Sequence, residues 1–175
     1  MNQPDLPIVR PMEIDDIPLV FHMGERLFTS DLAPSLYRTW DEWEVTSLFN
    51  TDPDYCLVAD VDDRPVGFVL GTTLKKGSWT YGYIIWLGVD EAFQRRRVAD
   101  ALVDDIISVM VGDGARLVIC DTDPANEKAI SFFHRKGFGN AREHVYLSLN
   151  VARHPAYSKL LRRRGRGPHG RGTRG

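Results

Sequence analysis

The sequence predicts a mixed α/β domain, and two observations carry that reading. Apolar residues switch between strand-like and helix-like periods in the order β-α-α-β-β-β-α-β-α-β. That order fits neither a barrel nor a doubly wound sheet of repeated βαβ units. The length, 175 residues with 43% hydrophobic and 26% charged, suits one domain with its own core. No apolar run approaches the roughly 20 residues needed to cross a bilayer. The first eleven residues lack the basic start and apolar stretch of a secretory signal. Two cysteines, Cys56 and Cys120, are too few for a disulfide framework or a cysteine-based zinc site. A cytoplasmic protein is the expectation.

Ile8 to Arg10 reads as an opening strand. Glu13 to Phe28 follows as an amphipathic helix, with Ile14, Ile17, Leu19, Val20, Met23 and Leu27 at helical spacing. Thr39 to Phe49 is a second helix, with Thr39 as its candidate N-cap ahead of Asp41 and Glu42. Tyr55 to Asp60 and Val66 to Leu74 form a hairpin around Asp62-Asp63, residues suited to a turn. Tyr81 to Val89 is a long aromatic and aliphatic strand. Ala99 to Val111 is a helix with Leu102, Val103, Ile106, Ile107 and Met110 on one face. Arg116 to Cys120 reads as a short buried strand through Leu117, Val118 and Ile119. Asn126 to Lys136 is a helix stopped by Gly137. Val145 to Leu149 closes the domain with strand alternation.

Charge is unevenly spread. The formal net charge is -2, from 22 Lys+Arg and 24 Asp+Glu. Every acidic residue lies at or before Glu143, while eight of the basic ones lie from Arg153 onward, leaving fourteen against 24 in the body. Residues 1–152 are expected to fold. Residues 153–175 read as a basic Arg/Gly-rich tail, disordered in isolation because it has little apolar surface to bury. The tail suits weak contact with nucleic acid or the ribosome, or with the acidic body itself.

The stretch Trp86 to Ala101 carries chemistry. A strand ends at Val89, a short loop follows, and a helix begins near Ala99. Such a junction directs unpaired backbone N–H groups and a positive dipole end at an anion. Arg95, Arg96 and Arg97 add cations there. On charge alone, a solvated basic turn is the better reading. A second stretch changes the balance: Asn126, Ala129, Phe132, Phe133, Gly137 and Phe138 at fixed spacing on the later helix.

Together these two stretches resemble the GNAT superfamily of acetyl-CoA-dependent N-acyltransferases. The family's phosphate loop, Q/R-x-x-G-x-G/A, matches Gln94-Arg95-Arg96-Arg97-Val98-Ala99. Its later helix, N-x-x-A-x-x-F-Y-x-x-x-G-F, matches Asn126 to Phe138. The resemblance is nearest to the ribosomal-protein and protein N-acetyltransferases. It implies a mixed, mostly antiparallel sheet flanked by helices, with a splayed central strand that binds acetyl-CoA. By the same resemblance, Leu87, Gly88 and Val89 offer backbone groups to the pantetheine arm and thioester. Gln94, Arg95, Arg96, Arg97, Val98, Ala99 and Asp100 wrap the pyrophosphate. Asn126 binds the arm, and Phe133 lies beside it.

Two positions depart from the family pattern. Arg97 stands where glycine is usual, and a helical φ there, with the side chain outward, is the expectation. Phe133 stands where many relatives have a tyrosine that protonates the leaving thiolate. Tyr81, Tyr83 and Tyr146 are candidate substitutes. Asp121 aligns with a glutamate base of the ribosomal-protein branch. It is read either as the base, through a water, or as a loop residue that helps to cap the next helix; both stay open. In relatives the segment around Glu25 to Trp43 lines the acceptor groove. Phe28, Tyr37 and Trp40 are the candidate aromatic wall, and Glu25, Asp31 and Asp41 the candidate attractors of a cationic amine. Core packing is the alternative for at least one of Trp40 and Trp43. Cys120 is expected to be a buried structural thiol. His134 is expected to face solvent. The five histidines show no metal spacing. The expected activity is acetyl transfer to a primary amine, on a protein or peptide first and on a small molecule second. An acyl-CoA-binding or RNA-associated module without catalysis also stays open, and the protein is expected to be a monomer or homodimer.

Overall fold

The structure is a computed structural model that describes residues 6–29, 39–142, 147 and 149–164. The chain divides into two units, Met1–Ala141 and Arg142–Gly175. In the first, strands β1 (Ile8–Pro11), β2 (Cys56–Val61), β3 (Arg64–Lys76), β4 (Trp79–Val89) and β5 (Ala115–Cys120) form one sheet in sequence order. The first three pairings are antiparallel and β4–β5 is parallel. A parallel pair needs a crossover, and helix α3 (Val98–Gly112) supplies it. The predicted mixed sheet flanked by helices is therefore the observed fold.

Two cores explain why the sheet holds. On one face, Leu57, Val66, Val69 and Ile84 pack against Val98, Leu102, Ile106 and Met110 of α3. On the other, Val58, Phe68, Leu70 and Trp86 pack against Val20 and Met23 of α1 (Ile17–Leu27) and Val45 of α2 (Glu42–Thr51). The β2–β3 turn has Asp62 and Asp63 at φ 52° and 55°, which suits a primed hairpin turn. Helix α4 (Glu127–Arg135) ends as the sequence suggests. Gly137, at φ 90°, donates to the His134 carbonyl, and Phe138 donates to that of Phe133. The Phe133 and Phe138 rings meet at 5.1 Å, which completes a Schellman motif.

Several expectations change. The first helix does not start at Glu13: a 3-10 turn, Ile14–Asp16, precedes α1, whose second residue is Pro18. Proline fits a helix's first turn, where its missing N–H costs nothing. Helix α2 is capped by Asp41, not Thr39, because the Asp41 carboxylate accepts from the Glu44 N–H at 2.8 Å. In β5, Leu117 and Ile119 are 48% and 38% exposed rather than buried, because α3 and α4 cover only the opposite face with Val118 and Cys120.

Of the expected closing strand, residues 145, 146 and 148 lie outside the described residues, and Leu147 and Leu149 are not in a strand. In the second unit, a ten-residue helix α5 (Pro155–Arg164) occupies part of the stretch read as disordered. The run from Lys159 through Leu160 and Leu161 to Arg164 consists of residues with good helix propensity. Residues 165–175 lie outside the described residues. Among the described residues, no helix is long and apolar enough to cross a membrane.

Candidate active site

The site grows from a fork in the sheet. β4 and β5 pair from Thr80 and Ala115 to Ile84 and Cys120. Past that rung β4 keeps only β3, through Trp86–Leu70, Leu87–Val69, Gly88–Phe68 and Val89–Gly67, among the described residues. Ile85 is inserted opposite the Leu70–Gly71 step, a bulge that bends β4 where it leaves β5. Leu87, Gly88 and Val89 thus lie on the open arm of the fork. No side chain fits at Gly88: an added Cβ would fall 2.7 Å from the Phe68 ring.

The open arm runs into the phosphate-type loop. The Asp90 N–H bonds the Val66 carbonyl at 2.9 Å, and its carboxylate accepts from Ala92 at 3.0 Å, which caps the turn Glu91–Phe93. Gln94 folds back, its amide nitrogen 3.4 Å from the Val89 carbonyl oxygen. Arg95 and Arg97 both take left-handed backbone, at φ 63° and 64°. The expectation for Arg97 is therefore corrected: it is not helical. The loop must reverse before α3 can start, and that reversal needs the conformation glycine adopts freely. A non-glycine residue there costs roughly 1–2 kcal/mol. Arg97 is the α3 N-cap but gives no side-chain cap. The first N–H groups of α3, those of Val98, Ala99 and Asp100, have no intrahelical acceptor. Arg96 lies over the Phe93 ring at 5.1 Å. Gln94 and all three arginines are exposed. Val98 is buried, and an added Cβ at Gly67 would fall 2.8 Å from it, so the start of α3 is pressed onto β3.

The Asp100 side chain turns toward α4. Its carboxylate lies 3.9 Å from Lys136, which also reaches Asp104 at 2.5 Å. Lys136, 14% exposed at its side chain, ties α4 to α3 and neutralises carboxylates that would repel an anion at the helix start. The Asn126 side-chain oxygen caps α4 by accepting from Ala129 at 3.1 Å, which leaves its NH₂ donors uncommitted to the cap. Phe133 packs edge-on between Phe132 and Phe138, at 5.2 and 5.1 Å, against the α3-side core. His134 is exposed, with Nδ1 3.0 Å from the Phe138 carbonyl oxygen.

At the crotch of the fork, the Tyr83 hydroxyl donates to the Asp121 carboxylate. Tyr83 precedes the last shared rung of β4, and Asp121 follows the last residue of β5. The sequence names both residues but not their contact, because only the parallel register brings them together. Asp123 is a loop residue: its carboxylate and carbonyl accept from Ala125 and Asn126 at 2.8 and 2.9 Å. Burial, then the nearby Asp121 charge, pushes the Cys120 thiol up to about 12, so Cys120 is a poor nucleophile.

Of the candidate acceptor wall, Phe28 and Trp40 meet and Tyr37 lies outside the described residues, as does Asp31. The two rings lie 5.1 Å apart and pack on Trp86, at 4.7 Å from Phe28 and 5.1 Å from Trp40. Trp40 donates to the Phe21 carbonyl at 2.9 Å. Trp43 is 75% exposed, so Trp40 alone takes the core role that helical spacing offered to both. Trp40 precedes α2, so the two never share a helical face. Of the candidate attractors, Asp41 is spent as a cap and Glu25 pairs with His22 at 2.8 Å. A cavity of about 190 Å³ opens beside this cluster, lined by Met23, Arg26, Leu27, Asp90 and Glu91.

A family model described as acetyltransferase (GNAT) family matches residues 20–138. N-alpha-acetyltransferase 30 of Schizosaccharomyces pombe is 31% identical over 87 residues, 49% of this chain and 58% of that relative. The chain thus matches little more than half of that relative's length. Among solved structures, Ard1 from Thermoplasma volcanium superposes with a TM-score of 0.66 at 25% identity, covering 79% of this chain and 86% of that one. An aminoglycoside acetyltransferase from an uncultured soil metagenomic sample has a TM-score of 0.66 at 19% identity, covering 83% and 97%, a likeness of fold.

Proposed function

The chain belongs to the acetyltransferase (GNAT) family, and from that premise we propose that it moves an acetyl group from acetyl-CoA to a protein or peptide amine by direct attack in a ternary complex. The observation that carries this reading is the Tyr83–Asp121 pair in the crotch of the β4–β5 fork. It puts a carboxylate beside the place where β4 backbone becomes available to a ligand.

The residues present fit coenzyme A. The open arm Leu87–Gly88–Val89 suits the amide-rich pantetheine, and the uncapped start of α3 with Arg95, Arg96 and Arg97 suits a pyrophosphate. Gln94 holds the loop against β4. Val98, Ala99 and Asp100 contribute N–H groups, with the Asp100 carboxylate turned to Lys136. The Asn126 NH₂, free of the α4 cap, and the Phe133 ring are the groups that the family pattern sets beside the pantetheine arm. When bound, acetyl-CoA supplies an activated acyl group on a thiolate leaving group.

An amine is mostly protonated at neutral pH, so it needs a base before it attacks. Asp121 takes that proton, directly or through one water. Tyr83 is a positioning residue: its hydroxyl fixes the carboxylate at the fork. Phe133 has no hydroxyl to protonate a departing thiolate, and a thiolate leaves without such help. Phe28 with Trp40 forms an apolar wall close to the open arm of β4, since both pack on Trp86. The named relative N-alpha-acetyltransferase 30 favours an α-amine, as at a peptide N-terminus, over a small polyamine. The acidic balance of the body and the fold likeness to an aminoglycoside acetyltransferase favour a small polycationic amine as second reading.

Thiol release from acetyl-CoA, measured with peptides, polyamines and aminoglycosides, separates them. Peptides should accelerate release and acquire one acetyl group by mass. Acceleration by small amines alone would replace the first reading with the second.

A further inference from the structure

The sheet face that carries Tyr83 and Asp121 continues as an exposed strip that the proposed reaction leaves unused. Its orientation follows from Gly82, where an added Cβ would fall 2.3 Å from Met110 of α3. Tyr81 and Tyr83, one residue to either side, therefore face away from α3. Tyr81 is paired directly with Leu74 of β3 and Leu117 of β5, which makes an apolar row across three strands. Trp79 stacks on Tyr81 at 6.3 Å with the rings inclined by 22°. Leu74, Leu117 and Trp79 are 48–49% exposed.

The strip ends on a cation. Thr80 pairs with Ala115 and Tyr81 with Leu117, so Arg116 is the extra residue of a bulge. Its guanidinium lies over the Trp79 ring at 6.0 Å. Among the described residues, Arg116 has this aromatic partner and no carboxylate partner. Lys76, paired with Trp79, adds positive potential at the same end. In a body with 24 acidic residues, an aromatic strip closed by uncompensated cations is complementary to an anion.

We propose that this strip, running from Tyr83–Asp121 over Tyr81 to Trp79 and Arg116, holds the acceptor polypeptide downstream of its reacting amine and selects an acidic residue four or five positions in. The proposal rests on the peptide reading given above and names the peptide's sequence class. Tyr83 and Trp79 are four residues apart on β4, about 13 Å at roughly 3.3 Å per residue. An extended acceptor with its amine at Asp121 covers that span in four residues. Its apolar side chains then meet Leu74, Tyr81 and Leu117, and its carboxylate meets Arg116. A small amine is too short to use the strip.

The test compares kcat/KM for three peptides that differ only at positions four and five: two glutamates, two serines or two lysines. The wild-type chain should prefer glutamate over lysine by about two- to fivefold, the range of an exposed ion pair. Arg116→Glu should invert that order while circular dichroism shows the fold intact, and Trp79→Ala should raise KM for all three peptides. Equal rates for the three peptides, or an unchanged order in Arg116→Glu, would overturn the strip and leave the peptide reading standing. Acetylation of a polyamine with no acetylation of any peptide would overturn both. A stable dimer whose dissociation by Arg116→Glu accounts for the whole loss of activity would make the strip a contact between copies, and would also overturn the proposal.

Discussion

Arg97 holds a backbone conformation, φ 64°, that glycine would reach without strain. The same residue brings a guanidinium to the start of α3. The two effects oppose each other, so Arg97→Gly should raise stability by up to about 1 kcal/mol and at the same time weaken coenzyme A binding. Thermal unfolding and calorimetric titration measure the two separately; unchanged affinity would move the phosphates away from this loop. Asp16 shows a different balance. It is 5% exposed, and burial pushes its carboxyl up. The Arg10 fork, at 2.6 and 3.0 Å, and the Glu13 N–H, at 2.8 Å, outweigh burial and hold it below the usual carboxylate range. A depressed folded value means stabilisation that is complete above the unfolded carboxylate's pKa, about 3.9, and is lost as pH falls through the folded value. Asp16→Asn should therefore cost about 2 kcal/mol at pH 7, with the gap to wild type closing in acid. A pH-independent gap in urea unfolding would show that the charge contributes nothing. The sequence marks Asp16 only as one of two adjacent aspartates. Its partners, Arg10 and through it Asp60 at 2.7 Å, lie on strands that only the fold makes neighbours.

At the scale of elements, α1 is fitted to one side chain. An added Cβ at Gly24 would lie 2.0 Å from the Trp40 indole. Gly24→Ala should displace that ring, break its bond to the Phe21 carbonyl and cost roughly 1–3 kcal/mol. A shift in tryptophan fluorescence with a lowered melting temperature is the expected result; wild-type fluorescence would place Trp40 elsewhere. Nothing in the local sequence announces this contact, because Gly24 reads only as a weak point in a helix. Other parts of the elements were legible. Local chemistry decides them: Asp62-Asp63 for the hairpin, Gly137 with Phe133 and Phe138 for the end of α4, and the Ile/Val/Leu stripe for α3. The misreadings came from competition between neighbours. Thr39 and Asp41 both suit an N-cap, and the geometry chooses Asp41. Three arginines in a row fit a helix start as well as a loop, and the reversal before α3 decides for the loop. Leu117 and Ile119 look like core in an apolar run, yet the core that takes in β5 lies on the α3 side and includes only Val118 and Cys120 of that run, so Leu117 and Ile119 stay exposed.

At the scale of the molecule, the chain's net charge of -2 describes neither half of it. The body is acidic, and within it cations gather locally: Arg95 to Arg97 at the start of α3 and Arg116 at the end of the exposed strip. The family was readable from two spaced motifs, while the Tyr83–Asp121 contact on which the proposed reaction rests was not, since the two lie 38 residues apart and meet only in the parallel register of β4 and β5. That pair is the centre of the account. Its most direct test is kcat/KM for peptide acetylation across pH 6–9 in wild type, Asp121→Asn, Tyr83→Phe and the double variant. Loss of a positioned base should lower the rate about 100-fold in Asp121→Asn, with the deficit shrinking as alkaline pH deprotonates the amine. The double variant should lose no more than the single one, because the two residues act as a unit. A pH–rate profile in Asp121→Asn parallel to that of wild type, or additive losses in the double variant, would contradict it.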